Sequence, residues 1–67
     1  MNTIAKSAER VRSAFKRGDL EAIDVERRVA ADAMSDQTRS PLVRAKWAEH
    51  HKAVVITYQL VAEIKSL

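Results

Sequence analysis

Two adjacent histidines, His50 and His51, are the side chains of this sequence best suited to chemistry near neutral pH. On a helix, adjacent side chains point about 100° apart, so the pair cannot share a metal ion in the usual i, i+4 manner. Glu49 precedes them, but no HExxH motif is formed. We therefore expect no metal site. One histidine is expected near an apolar seam, where it would make association sensitive to pH, and the other in solvent.

The other polar residues form no catalytic pattern. The serines stand outside any nucleophile motif: Ser7, Ser13, Ser35, Ser40 and Ser66. Carboxylates lie beside arginine or lysine at helical spacing, as Asp24 does with Arg28, which is typical of surface ion pairs. A single glycine cannot build a glycine-rich phosphate loop. The sequence therefore predicts a protein that is not an enzyme and needs no cofactor.

The chain is short enough that its stability needs an explanation. With 67 residues it forms a single domain, residues 1–67, and a domain of this size buries only about 60% of its unfolded surface. It has no cysteine, which excludes disulfides and thiolate metal sites. Oligomerisation is the remaining means of stabilisation. No apolar run reaches the roughly 18 residues that span a bilayer, and residues 1–6 lack a signal-peptide core, so we expect a soluble cytoplasmic protein.

Helix signals are clearest in the second half of the chain. Residues 35–40 are polar and end in Ser40, whose hydroxyl can cap a helix, and Pro41 suits the first helical position. We predict a helix over about residues 41–65. The short turn before it favours an antiparallel neighbour, so the fold class is an all-α helical hairpin.

The first half of the chain predicts one long helix over about residues 3–34. Its small and apolar positions follow a 4-3 heptad spacing typical of a coiled coil: Ile4, Ala8, Val11, Phe15, Gly18, Ala22, Val25 and Val29. The competing signal lies at Gly18, where two basic residues, glycine and Asp19 read as a helix stop followed by a helix start. A kink or a split at Gly18 is therefore the alternative, and a split would give three helices.

The predicted second helix is apolar on two sides. One stripe contains Val54, Tyr58 and Val61, and the other, here called the outer stripe, contains Ala53, Ile56, Leu60 and Ile64. A single partner helix covers only the first, and large exposed apolar patches usually mark interaction sites. We therefore predict a homodimer or higher oligomer built as a four-helix bundle, and a further protein partner. The predicted contacts are Trp47, Val55, Ile56, Tyr58, Leu60 and Ile64, with Trp47 and Tyr58 equally suited to the core.

The charge layout leaves a second class of function open. The net charge is +3, and three cations, Lys6, Arg10 and Arg17, share one face of the first helix. A basic stripe is the electrostatic footprint of phosphate contact, so a nucleic-acid-binding regulator is the alternative. The acidic residues Glu21, Asp24 and Glu26 that follow directly oppose it.

The layout of helix, short polar turn ending in Pro41, and second helix resembles small helical-hairpin subunits and co-chaperones of bacterial type III secretion systems. This resemblance covers the architecture and assigns no residue. It implies a subunit or co-chaperone of a secretion assembly as a further alternative. The main prediction is a small interaction module, such as an adaptor, small chaperone, regulator or assembly subunit, that self-associates through its C-terminal helix.

Overall fold

The protein is all-α and consists of three helices. A computed structural model describes residues 2–67 and contains α1 (Ile4–Arg17), α2 (Leu20–Ser35) and α3 (Pro41–Ser66). The prediction of a helix over residues 41–65 is confirmed almost to the residue. As expected, the Ser40 hydroxyl accepts a hydrogen bond from the Val43 N–H, and Pro41 occupies the first turn. None of the helices in the described part of the chain is long and apolar enough to cross a membrane.

The long helix predicted over residues 3–34 is wrong, because the chain breaks at Gly18. This glycine has φ +65°, a left-handed conformation that ends helices and strains other residues. The N–H of the next residue, Asp19, donates to the Ala14 carbonyl at 2.9 Å. The Asp19 carboxylate then caps α2 by accepting from the Ala22 N–H at 3.1 Å. The stop and start signals around Gly18 therefore outweigh the heptad spacing.

The three helices pack as an up-down-up bundle within one chain. Ile23 of α2 lies in one core cluster with Val54 of α3, so these two helices run antiparallel from their short connection. A continuous helix over residues 3–34 would carry Ile4 past the end of α3, with nothing to pack on. Folding back at Gly18 instead places Ile4 against the cluster that contains Trp47. The third helix of the bundle thus comes from the same chain, which replaces the predicted two-helix hairpin.

This topology has two consequences for the predictions. The predicted four-helix bundle required two helices from each of two chains, but each chain already supplies three packed helices. The resemblance to secretion-system subunits depended on a two-helix layout, which the chain does not have.

The core is divided into two apolar clusters. The cluster near Gly18 contains Val11, Ala14, Ile23, Val54 and Val61, and the cluster near the α2–α3 connection contains Ala30, Ala33 and Trp47. In α2 the buried positions differ from the predicted seam by one residue. Val25, which the seam placed inside, is 46% exposed, while Ile23 is fully buried. The break at Gly18 resets the helical phase, so the spacing of α1 does not continue into α2.

Candidate interaction surface

The outer stripe of α3 stays exposed although the bundle has a third helix. Ile56, Leu60 and Ile64 are 60%, 46% and 54% exposed, and Ala53 is exposed one turn earlier. Their spacing of three and four residues places them on one face of a straight helix. α1 packs beside this face rather than over it. The apolar surface predicted from the sequence is therefore present on the folded chain.

A residue of α1 extends this surface. Phe15 is 41% exposed and lines a shallow apolar groove of about 450 Å³ together with Val11, Thr57 and Leu60. On its other side Phe15 borders a second groove that includes Ile64. The exposed apolar surface consequently runs across two helices, from Ile56 to Ile64 with Phe15 at its edge. The heptad spacing predicts Phe15 inside the hairpin seam, whereas the folded chain places it at the edge of this surface.

The other predicted contact residues lie deeper. Trp47 is 3% exposed and fills the core between α2 and α3, where the Arg39 guanidinium lies 5.9 Å from its ring centroid. Tyr58 is half-buried and packs against the cluster near Gly18, and Val55 is also half-buried. The structure thus separates these three from Ile56, Leu60 and Ile64, which form the accessible part of the predicted set.

The basic face proposed for nucleic acid is partly neutralised within the chain. Arg10 pairs with the Glu26 carboxylate, with Nε 2.9 Å from Oε2, and also donates to Asn2. Arg17 lies 3.6 Å from the Asp19 carboxylate and donates to the Ser13 hydroxyl. Lys6 is exposed, and none of the ion pairs between described residues involves it. The structure therefore leaves one of the three cations unpaired.

A buried polar cluster joins all three helices between the two apolar clusters. The Ser7 hydroxyl donates to Oε1 of Glu26 at 2.9 Å, and Arg10 donates to both oxygens of the same carboxylate. Nε2 of His50 lies 2.8 Å from the Ser7 oxygen. Because Ser7 gives its only proton to Glu26, Nε2 of His50 must carry the proton that it donates to Ser7. Among the described side chains, every buried polar atom has a hydrogen-bond partner.

The pKa values of Glu26 and His50 both lie below their usual values, for different physical reasons. Burial tends to raise the pKa of Glu26, but the hydrogen bonds from Arg10 and Ser7 outweigh it and hold that pKa below its usual value. Burial lowers the pKa of His50; the Glu26 carboxylate opposes this effect and His51 adds to it. The folded chain therefore favours an ionised Glu26 beside a neutral His50.

The cluster contains a serine, a histidine and a carboxylate, the residue types of a hydrolase site, but its geometry serves packing. Ser7 is fully buried, so its hydroxyl has no path to a substrate in this conformation. Its proton points to the Glu26 carboxylate rather than to the histidine, so the serine–histidine hydrogen bond of a hydrolase triad, in which histidine accepts the serine proton, is not formed. Within residues 2–67, no three histidine or acidic side chains come together as metal ligands.

Sequence reasoning missed this cluster, although a signal was present. In each helix one polar residue stands between two inward apolar residues at the same spacing of three and four. The three sets are Ile4–Ser7–Val11, Ile23–Glu26–Ala30 and Trp47–His50–Val54. Reading the helices separately would have brought Ser7, Glu26 and His50 to the same level of the bundle. The assumed long helix concealed this, because it placed Ser7 and Glu26 outside the seam.

The lowered pKa of His50 predicts a pH dependence of stability. Because the folded pKa lies below the usual value of 6.5, the unfolded chain binds the proton first as the pH falls. The free energy of unfolding should therefore decrease from about pH 6.5 downward and be constant above it. Urea unfolding between about pH 8 and pH 5 measures this slope, which His50→Gln should reduce more than His51→Gln, because His51 is the smallest of the causes that act on the pKa of His50. An equal slope in both variants would contradict the assignment to His50.

No protein-family model matches the chain, and neither a curated protein nor a solved structure shows a significant match to it. Its function must therefore be inferred from the geometry of the molecule itself.

Proposed function

We propose that this protein is a non-enzymatic interaction module that self-associates through the outer stripe of α3. The observation that carries the proposal is the exposure of Ile56, Leu60 and Ile64 on one face of a helix whose opposite face is already packed. Scattered exposed apolar residues need no explanation, but a contiguous row with Phe15 at its edge is typical of an interface. Burial against another chain would remove this surface from water.

Self-association would also stabilise a chain of this size. A 67-residue bundle without disulfides has a free energy of unfolding on the order of 3–10 kcal/mol. Each large apolar side chain that moves from water into an interface contributes about 1–2 kcal/mol to association. Such a module would act as an adaptor, regulator or assembly subunit, with its charged faces free for a further protein.

The test compares a double variant of the outer stripe with a matched control. Leu60→Glu combined with Ile64→Glu places two charges on the proposed interface, so light scattering across a concentration series should show a monomer. Val25→Glu is the control, because Val25 on α2 and Leu60 are both 46% exposed. The control should associate like the unaltered chain. Circular dichroism should show that both variants remain helical.

Two results would contradict the proposal. Association that persists in the Leu60→Glu, Ile64→Glu variant would move the interface away from the outer stripe. A monomer for the unaltered chain at every concentration would mean that a different protein, rather than a second copy, covers this surface.

A further inference from the structure

We infer that the second copy docks antiparallel to the first, with a two-fold axis passing beside Leu60. This inference rests on the proposed self-association and adds its geometry. In such a pair, the residue n positions before Leu60 lies opposite the residue n positions after Leu60 in the other copy. The two copies then bury the same patch, as a closed symmetric dimer requires.

Side chains at equal distances before and after Leu60 would fit each other in size across the two copies. Ile56 and Ile64 lie four residues before and after Leu60. Ile56 of one copy would therefore contact Ile64 of the other copy, and the contact would form twice. Seven residues away, the small Ala53 would meet the large Leu67, which is fully exposed in the single chain. Large residues opposite small ones, and equal residues opposite each other, are what close packing needs.

The charges beside the stripe distinguish antiparallel from parallel packing. At 100° per residue, Glu63 and Lys52 project about 60° and 80° to the same side of Leu60. In the antiparallel pair, the Lys52 of one copy and the Glu63 of the other lie on the same flank, about 7.5 Å apart along the helix axis at 1.5 Å per residue. Long side chains bridge this separation, and the symmetry forms the pair twice. A parallel pair would place the Lys52 of one copy and the Glu63 of the other on opposite flanks of the interface, so this ion pair would not form.

Both partners of this pair are available in the folded chain. Lys52 and Glu63 are exposed, and the ion pairs formed between described residues include neither of them. Within one α3 they are eleven residues apart, about 16 Å along the axis, so they cannot pair with each other. Their charges therefore contribute to association in the antiparallel dimer without contributing to the stability of the single chain.

Charge reversal tests this geometry. Lys52→Glu should weaken dimerisation about 10-fold, because two attractive pairs become repulsive, and Glu63→Lys should do the same. The double variant Lys52→Glu, Glu63→Lys restores both pairs with opposite sign, so its dissociation constant should return to within about 3-fold of the unaltered chain. Sedimentation equilibrium gives the four constants, and thermal unfolding of dilute samples checks that the bundle is intact.

The outcomes separate this inference from the proposed function. Single reversals that leave the dissociation constant unchanged, or a double variant that is weaker than either single, would overturn the antiparallel arrangement while leaving self-association in place. A chain that remains monomeric before any substitution would overturn both.

Discussion

Replacing Trp47 by alanine is expected to unfold a large part of the protein population at room temperature. Trp47 is 3% exposed and is the largest side chain of the cluster that joins α2 to α3. Its ring also makes an edge contact with His50, with ring centroids 5.8 Å apart, and so links the apolar cluster to the buried polar cluster. Truncating a buried tryptophan removes about 3–5 kcal/mol, because the cavity left behind cannot close completely.

This loss is large relative to the stability of so small a domain. At about 0.05–0.15 kcal/mol per residue, the whole chain has on the order of 3–10 kcal/mol available. The midpoint of thermal unfolding should therefore fall by on the order of 20 °C. Circular dichroism at 222 nm follows it, with Leu42→Ala as the control, since Leu42 is an exposed apolar residue of the same helix.

The Trp47 variant also tests the sequence-based hypothesis that this residue is an interface anchor. An anchor at a surface would lose association on truncation and keep its unfolding temperature. A Trp47→Ala chain with an unchanged midpoint would contradict the core assignment.

Replacing Glu26 by alanine is the second change with a large expected effect. The Glu26 carboxylate is buried and accepts hydrogen bonds from the Ser7 hydroxyl and from Arg10, which ties α1 to α2. The substitution leaves the fully buried Ser7 without its acceptor and removes hydrogen bonds to a charged group. We expect the free energy of unfolding to fall by about 2 kcal/mol. Urea unfolding near neutral pH measures it.

Asp24→Ala provides the matched control for Glu26→Ala. Asp24 lies on the same helix and, like Glu26, pairs with arginine, with Arg27 Nε at 2.6 Å and Arg28 Nε at 3.4 Å. These pairs are exposed to water, where an ion pair contributes little. Removing Asp24 should therefore change stability much less than removing Glu26. Equal losses would mean that burial does not set the contribution of the Glu26 pairs.

The sequence was sufficient wherever local signals were unopposed. The start of α3 could be predicted because Ser40 and Pro41 favour the same boundary, one through its hydroxyl and the other through its fixed φ. Ile56, Leu60 and Ile64 could be recognised as an exposed row because α3 is long and apolar on two sides. A helix that packs on one apolar side of α3 leaves the other apolar side exposed.

The sequence was insufficient where two signals competed. Gly18 carries both a heptad position and a helix-stop pattern, and the spacing alone does not reveal that a continuous helix would leave Ile4 without a partner. The lack of a packing partner for Ile4 becomes apparent only when the lengths of all three helices are compared. Continuing the heptad spacing of α1 through Gly18 also assigns the wrong face of α2 to the core. It places Val25 inside and Glu26 outside.

The buried polar cluster shows a different limit. Ser7, Glu26 and His50 come from three helices and are brought together only by the up-down-up topology. Buried polar layers of this kind can fix which residues lie at one level, because a shifted helix would leave hydrogen-bonding groups unpaired. The cluster accordingly fixes the alignment of the three helices, while the exposed outer stripe supports the proposed association.

The proposed self-association would bring two copies of this chain together through the outer stripe. Sedimentation equilibrium of the unaltered protein over a wide concentration range tests it most directly. We predict a reversible rise in average molar mass from that of one chain to that of two, and no further. A mass that stays at one chain up to the highest concentration, or that rises without limit, would contradict it.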